Sequence, residues 1–166
     1  DVDEFVMQIL QTWEDKPLKN IASGELDLGD EEEKKEIQEQ AEQNKDLLSA
    51  IKEALGDRVA NVKLSERLKN HPVCLSSEGP LSLEMEKTLN AMPGDNKVKA
   101  QKILEINPNH PIFSAMQNLY AHKKEEMTQY ASLLYNQALL IEGFPVENPV
   151  ALTEQICALM VKAANQ

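Results

Sequence analysis

The stretch ILEINPNHPIF, positions 103–113, decides the fold. It begins with Ile103 and Glu105 set against Leu104 and Ile106, the alternation of a strand. It then passes into Asn107, Pro108, Asn109, His110 and Pro111, where the two prolines remove donors that a ladder would need. A strand must stop here. Asn109 suits the N-cap of a helix that begins at Pro111, so an extended segment is joined to a helical one by a short stiff link.

Working outward, the period is two on one side of the stop and near four on the other. RVANVKLSERL (58–68), HPVCLSS (71–77) and KILEI (102–106) predict three short strands, enough for one small sheet. PLSLEMEKTLNAM (80–92) lies between the second and third and predicts a short helix ended by Pro93-Gly94. Downstream, 111–122, 124–142 and, after Gly143-Phe144-Pro145, 149–164 predict helices with little between them. Upstream, 31–55 predicts one helix, with Glu31 to Glu33 at the dipole's positive end, Gly56 as C-cap, and Ile37, Ala41, Asn44, Leu48, Ile51 and Leu55 as its stripe. Residues 1–10 read as helical or partly extended, Lys16-Pro17 as a turn, PLKNIAS as a weak strand, and Ser23 to Asp30 as a surface loop. Strands mixed with helices, followed by helices alone, give the α+β class: a three-stranded sheet with packed helices and a terminal two-helix hairpin.

Composition agrees. Among 166 residues, 42% are apolar but only 4% aromatic, which favours packed Leu, Ala, Ile and Met over a sandwich of short strands. A net charge of −11 argues against nucleic acid as a partner, since phosphate binding needs clustered Lys and Arg. The longest charge-free run, Met127 to Ile141, is shorter than the roughly 20 residues of a membrane span. Cys74 and Cys157 sit in apolar runs and read as reduced core thiols of a cytoplasmic protein. A start on Asp1 reads as a piece of a longer chain.

Catalysis finds no support in the sequence. There is no Gly-rich phosphate loop, no G-x-S-x-G elbow and no H-E-x-x-H, and the three histidines are scattered. His71 and Cys74 have ligand-like spacing, but residues three apart on a strand point to opposite faces. No pair of acids lies in an apolar setting suited to acid-base work.

Helical periodicity is the stronger signal. Met127, Ala131, Leu134, Ala138 and Ile141 recur at spacings 4, 3, 4, 3, a bundle seam widened by Leu133 and Leu140 on one side and by Tyr135 and Leu139 on the other. That exceeds the ~100° stripe of an ordinary surface helix. In 149–164, Asn148 suits the N-cap and Pro149 the first turn, and Leu152, Ile156, Leu159 and Ala163 share a face with Met160 beside them. Two copies of such a hairpin would close a four-helix bundle about a two-fold axis. The expected interface comprises Met127, Tyr130, Ala131, Leu134, Ala138 and Ile141 of the first helix and Leu152, Ile156, Leu159, Met160 and Ala163 of the second. A monomeric adaptor that offers the hairpin to a different protein is the alternative. A second stripe, Leu81, Met85, Leu89 and Met92, has Glu84, Glu86, Lys87 and Asn90 off it; it is either ordinary core or a flexible surface for apolar polypeptide.

ILEINPNHPI resembles a signature of the heat shock protein 90 chaperones, LLYNQALLIEGFPVENP (133–149) resembles that family's Leu-Tyr-x-x-Ala-Leu-Leu…Gly-Phe run, and DRVANVKLSERLKNHPVCL (57–75) its strand pair. Together these matches cover about 57–160. DVDEFVMQILQTWEDKPLKNIAS is similar to the junction between the family's middle and C-terminal domains. The resemblance implies a junction segment over 1–25 and a C-terminal dimerisation domain over 26–166, which pairs with itself and binds unfolded client protein through Leu81, Met85, Leu89 and Met92, with Glu4, Phe5 and Gln8 facing the same groove. It implies no cofactor in this stretch, ATP and Mg belonging to an N-terminal domain outside it, and hence no ATPase activity of its own. The ending VKAANQ, without the acidic tail of cytosolic eukaryotic members or a retention signal, resembles the bacterial members of the high-temperature protein G type, with a mitochondrial relative as the alternative.

Overall fold

A computed structural model of the chain describes residue 6 and residues 9–18, 31–93 and 97–165. Glu4, Phe5 and Gln8, the loop 23–30 and most of PLKNIAS lie outside the described residues. In chain order the elements are β1 (Thr12–Trp13), β2 (Lys16–Pro17), α1 (Glu31–Gln43), α2 (Lys45–Leu55), β3 (Asn61–Leu64), β4 (Val73–Glu78), α3 (Leu83–Ala91), β5 (Gln101–Ile106), α4 (Pro111–His122), α5 (Met127–Ile141) and α6 (Pro149–Ala164). The architecture is α+β, as the sequence predicts.

The strand that opens ILEINPNHPIF is the centre of the sheet. β5 pairs with β3 in parallel on one edge and with β4 antiparallel on the other, giving the order β3-β5-β4. Register places Val62 and Leu75 beside Leu104, and Leu64 and Val73 beside Ile106, so this face is apolar along that stretch, with Lys102 and Ser77 paired at its other end. Leu47, Ile51 and Leu55 of α2 and Ala131, Leu134 and Ala138 of α5 close over that face, with Phe113 and Met116 of α4 completing the core.

Asn107 makes the stop. It is fully buried; its N–H donates to Pro72 O at 2.9 Å, its Nδ2 donates to Lys69 O and His71 O, and its Oδ1 accepts from Asn109 N at 3.0 Å. One side chain thus satisfies backbone groups that a ladder would otherwise serve. The N-cap is His110, whose Nδ1 accepts from Ile112 N at 3.1 Å, and not Asn109, whose own N–H is committed to Asn107.

Two further expectations are corrected. The helix predicted over 31–55 is two helices: Asn44 Nδ2 donates to Gln40 O at 2.7 Å and its backbone leaves the helical region at ψ 18°. An Asn side chain that competes for a helix carbonyl is a known source of such interruptions. Downstream of it Leu47 becomes the buried residue and Leu48 only half-buried. The turn expected at Lys16-Pro17 lies one step earlier, at Glu14 and Asp15, both with positive φ, and Lys16-Pro17 is a strand paired with Thr12–Trp13. Gly56 does cap α2, at φ +57°.

Candidate functional site

The terminal hairpin forms as its sequence dictates. Asn148 Oδ1 accepts from Ala151 N at 3.0 Å and Pro149 occupies the first turn of α6. Lys162 near the end of α6 reaches Glu126 at the start of α5 at 2.6 Å, which fixes the helices antiparallel. The Glu126 carboxyl is held below its ordinary range and the Lys162 ammonium above its own, each chiefly by this hydrogen bond.

The two helices divide the predicted interface residues between core and surface. Met127, Ala131, Leu134 and Ala138 are buried in the protomer itself, against α2 and the sheet, so the 4-3-4-3 seam is core rather than an open face. Periodicity identifies an apolar stripe but not the partner that covers it. Leu133, Tyr135 and Leu139 are buried as well, which leaves Leu140 and Ile141 exposed at the end of α5 and Tyr130 half-buried. On α6, Leu152 is buried and Leu159 half-buried, while Ile156, Met160 and Ala163 are exposed. Val150 and Val161, which the expected interface leaves out, and Cys157, expected in the core, lie beside Ile156 and Met160 at 100° per residue and are exposed with them. Met160 is 65% exposed and Val161 60%. Ile9, Trp13 and Met92 are exposed elsewhere; within the hairpin the uncovered apolar surface is therefore a broad face of α6 extended by the end of α5. Cys157 lies on it, which corrects the expectation of two core thiols.

α3 is capped by Ser82, whose hydroxyl accepts from Met85 N at 3.1 Å. Its stripe is split: Met85 is buried, Leu81 and Leu89 are half-buried, and Met92 is exposed. Glu86, expected on the wet side, is buried instead and takes Lys102 Nζ and Ala100 N–H. Asn90 clasps the returning chain, donating to Val98 O at 2.8 Å and accepting from Val98 N at 2.9 Å. α3 is thus held by polar clasps along one side as well as by apolar burial.

On the second face of the sheet Glu105 is buried at 2% exposure among Ser76 (2.7 Å), Ser65 (2.9 Å), Arg67 (3.1 Å) and Lys63 (3.4 Å). Burial alone would raise its pKa, but the Ser76 hydroxyl, the two cations and Ser65 more than offset this and hold the carboxyl below its usual range. Burial, then the Glu105 charge, pushes the neighbouring Cys74 thiol up to about 11, so it is an inert core thiol. The sequence reading missed both buried acids. A signal existed for Glu105 alone: an acid in the middle of a strand that is apolar on both faces.

Among the described residues no group of three or more His, Cys, Asp and Glu comes together to hold a metal ion, and no helix is long and apolar enough to cross a membrane.

Fold and surface define the class: an α+β domain that exposes a run of large apolar side chains on its terminal helical hairpin. The chain belongs to the Hsp90 protein family, whose model matches residues 1–166. It is 47% identical over 161 residues to the Chaperone protein HtpG of Bacillus subtilis (strain 168), which covers 97% of this chain and 26% of that protein. With the Chaperone protein HtpG of Clostridium perfringens (strain 13 / Type A) the identity is 50% over 160 residues, 96% of this chain and 25% of the relative. The chain spans about a quarter of the length of the curated relatives it matches.

Proposed function

We propose that this chain is the C-terminal homodimerisation module of a cytoplasmic, ATP-dependent chaperone, with residues 1–25 as the junction to a middle domain and the ATP and Mg sites in a part of the protein outside it. The observation that carries the reading is the uncovered face of Ile156, Met160, Val161 and Val150 with Leu140 and Ile141. Six large apolar side chains left exposed on neighbouring helices make a contiguous patch of the kind that marks an interface, and a second copy related by a two-fold axis covers it with itself. A stable dimer needs about 1,200–2,000 Å² of total buried surface. Tethering two arms at this face raises their effective concentration for one another, so their closure becomes intramolecular.

Light scattering over a dilution series tests this. A mass of twice the 18.6 kDa chain is expected, falling to the monomer in Met160→Glu with the circular dichroism unchanged. A wild-type monomer throughout would refute the reading.

The client surface is proposed along α3, from Leu81 before its N-cap through Leu89 to the exposed Met92 at its C-cap, in keeping with the chaperone name that the relatives carry. Met92→Ser is expected to weaken capture of an unfolded protein and to leave the dimer intact; unchanged capture would remove Met92 from that role.

A further inference from the structure

A cleft of about 740 Å³ opens between the end of α2, the start of β5 and the turn after α5. None of the surfaces above uses it, and its volume lies within the range of small-molecule sites, about 300–1,000 Å³. Its apolar lining is rigid: Tyr135, Leu139 and Phe144 are all buried members of the core.

Its polar lining is cationic against the trend of a chain with net charge −11. Lys52, Arg58, Lys99 and Lys102 line it with Asp57, Glu86 and Glu147. Glu86 is already taken by Lys102 and by Ala100 N–H at 2.7 Å. Setting that pair aside leaves three cations, Lys52, Arg58 and Lys99, against two acids, Asp57 and Glu147, an excess of one positive charge.

Arg58 is the best placed of the three. Its Nε donates to Leu55 O at 3.1 Å, and its Nη2 donates to Ala54 O and to Ser132 Oγ at 3.0 Å. The guanidinium stands 5.5 Å from the Tyr135 ring centroid. Neutral acceptors therefore fix its position, and no carboxylate among the described residues lies within ion-pairing distance of it. The remaining nitrogen, Nη1, is left without a protein partner among those residues. Tyr135, only 6% exposed, lines the same cleft, and among the described residues no hydrogen bond engages its hydroxyl. Arg58 Nη1 and the Tyr135 hydroxyl are thus both left without a protein partner among the described residues, and neither is cut off from the water of the cleft, so one bound anion can take both donors together.

We propose that this cleft binds a small organic monoanion: a carboxylate on a flat or branched apolar body. The body rests on Leu139 and Phe144, Arg58 and the Tyr135 hydroxyl bind the carboxylate, and Lys99 at the rim adds attraction. The single excess charge selects a monoanion over a phosphate ester, which would bring a second negative charge against Asp57 and Glu147.

The test is a titration of the isotope-labelled full 166-residue chain with naphthaleneacetate and with its neutral isostere naphthaleneacetamide, followed by amide spectra. Saturable shifts at Val59, Ala60, Ala100 and Gln101 are expected with the acid and at least tenfold weaker binding of the amide. Arg58→Gln should weaken the acid about tenfold, the loss of one charge-assisted hydrogen bond. Arg58 also ties the end of α2, so Lys99→Ala, an exposed position without a partner among the described residues, serves as the second variant and should weaken binding severalfold. Shifts confined to the exposed face of α6, equal binding of acid and amide, or affinity unchanged in Lys99→Ala would each overturn the proposal.

Discussion

Replacing Glu105 with Gln removes a charge from the centre of the sheet and leaves its shape nearly intact. In the native protein this carboxylate, 2% exposed, accepts from two hydroxyls and faces two cations. Hydrogen bonds to a charged group contribute about 1.5–3 kcal/mol each, and breaking a buried ion pair costs about 3–5 kcal/mol. Two features reduce the loss: Lys63 and Arg67 are 35% and 36% exposed and can turn to water, and the amide oxygen keeps one hydroxyl bond. A destabilisation of about 2–4 kcal/mol remains, at about 2–4 °C of melting temperature per kcal/mol in a chain of this size. The pH dependence has a definite sign. The folded carboxyl is held below its unfolded value, so its contribution is complete above the unfolded pKa of about 4.3 and is lost as pH falls through the folded value. Urea unfolding of wild type and variant at one protein concentration should therefore show the full gap at neutral pH and a shrinking gap in acid. A gap under about 0.5 kcal/mol at neutral pH, or one that stays constant into acid, would refute this account.

Three further outcomes are expected. Leu134→Ala should destabilise the protomer by about 2–5 kcal/mol, because Leu134 is 3% exposed inside its core, and should leave the mass of the folded protein unchanged; a shift to monomer with full stability would place Leu134 at an interface instead. Asn90→Ala should cost about 1–3 kcal/mol and speed amide exchange at Val98, whose N–H and carbonyl both pair with that side chain; unchanged exchange would show that the clasp is dispensable. A thiol reagent should label Cys157 readily in the monomeric Met160→Glu variant and more slowly in the dimer that covers it, and Cys74 only after unfolding, since the latter is buried with its pKa pushed up to about 11; labelling of Cys74 in the folded protein would contradict the packing around Glu105.

The seam on α5 shows how far a helical pattern can be read. The sequence makes the helix apolar over most of its circumference and predicts that something covers it. Its own sheet, α2 and α4 do so nearly everywhere, and the uncovered surface passes to α6. The same holds for α3, where the spacing of Leu81, Met85, Leu89 and Met92 is visible but the burial of Met85 and the exposure of Met92 follow from what lies on each side. Glu86 illustrates the converse: a charged residue counted to the wet side is buried because Lys102 and Ala100 N–H arrive from β5 and the chain leading into it.

By itself the sequence determined the class, the three strands near their observed positions, the stop after Ile106, the caps Gly56, Asn148 and Pro149, and the family, because these depend on neighbours along the chain or on local backbone chemistry. Tertiary structure alone decided that β5 lies between β3 and β4 and which apolar stripe is core. It also placed Glu105, Glu86 and Arg58 in their pockets of charge. The reason is common to all of these: burial depends on residues distant in sequence, and a period of two or of 3.6 fixes a face without naming what lies against it.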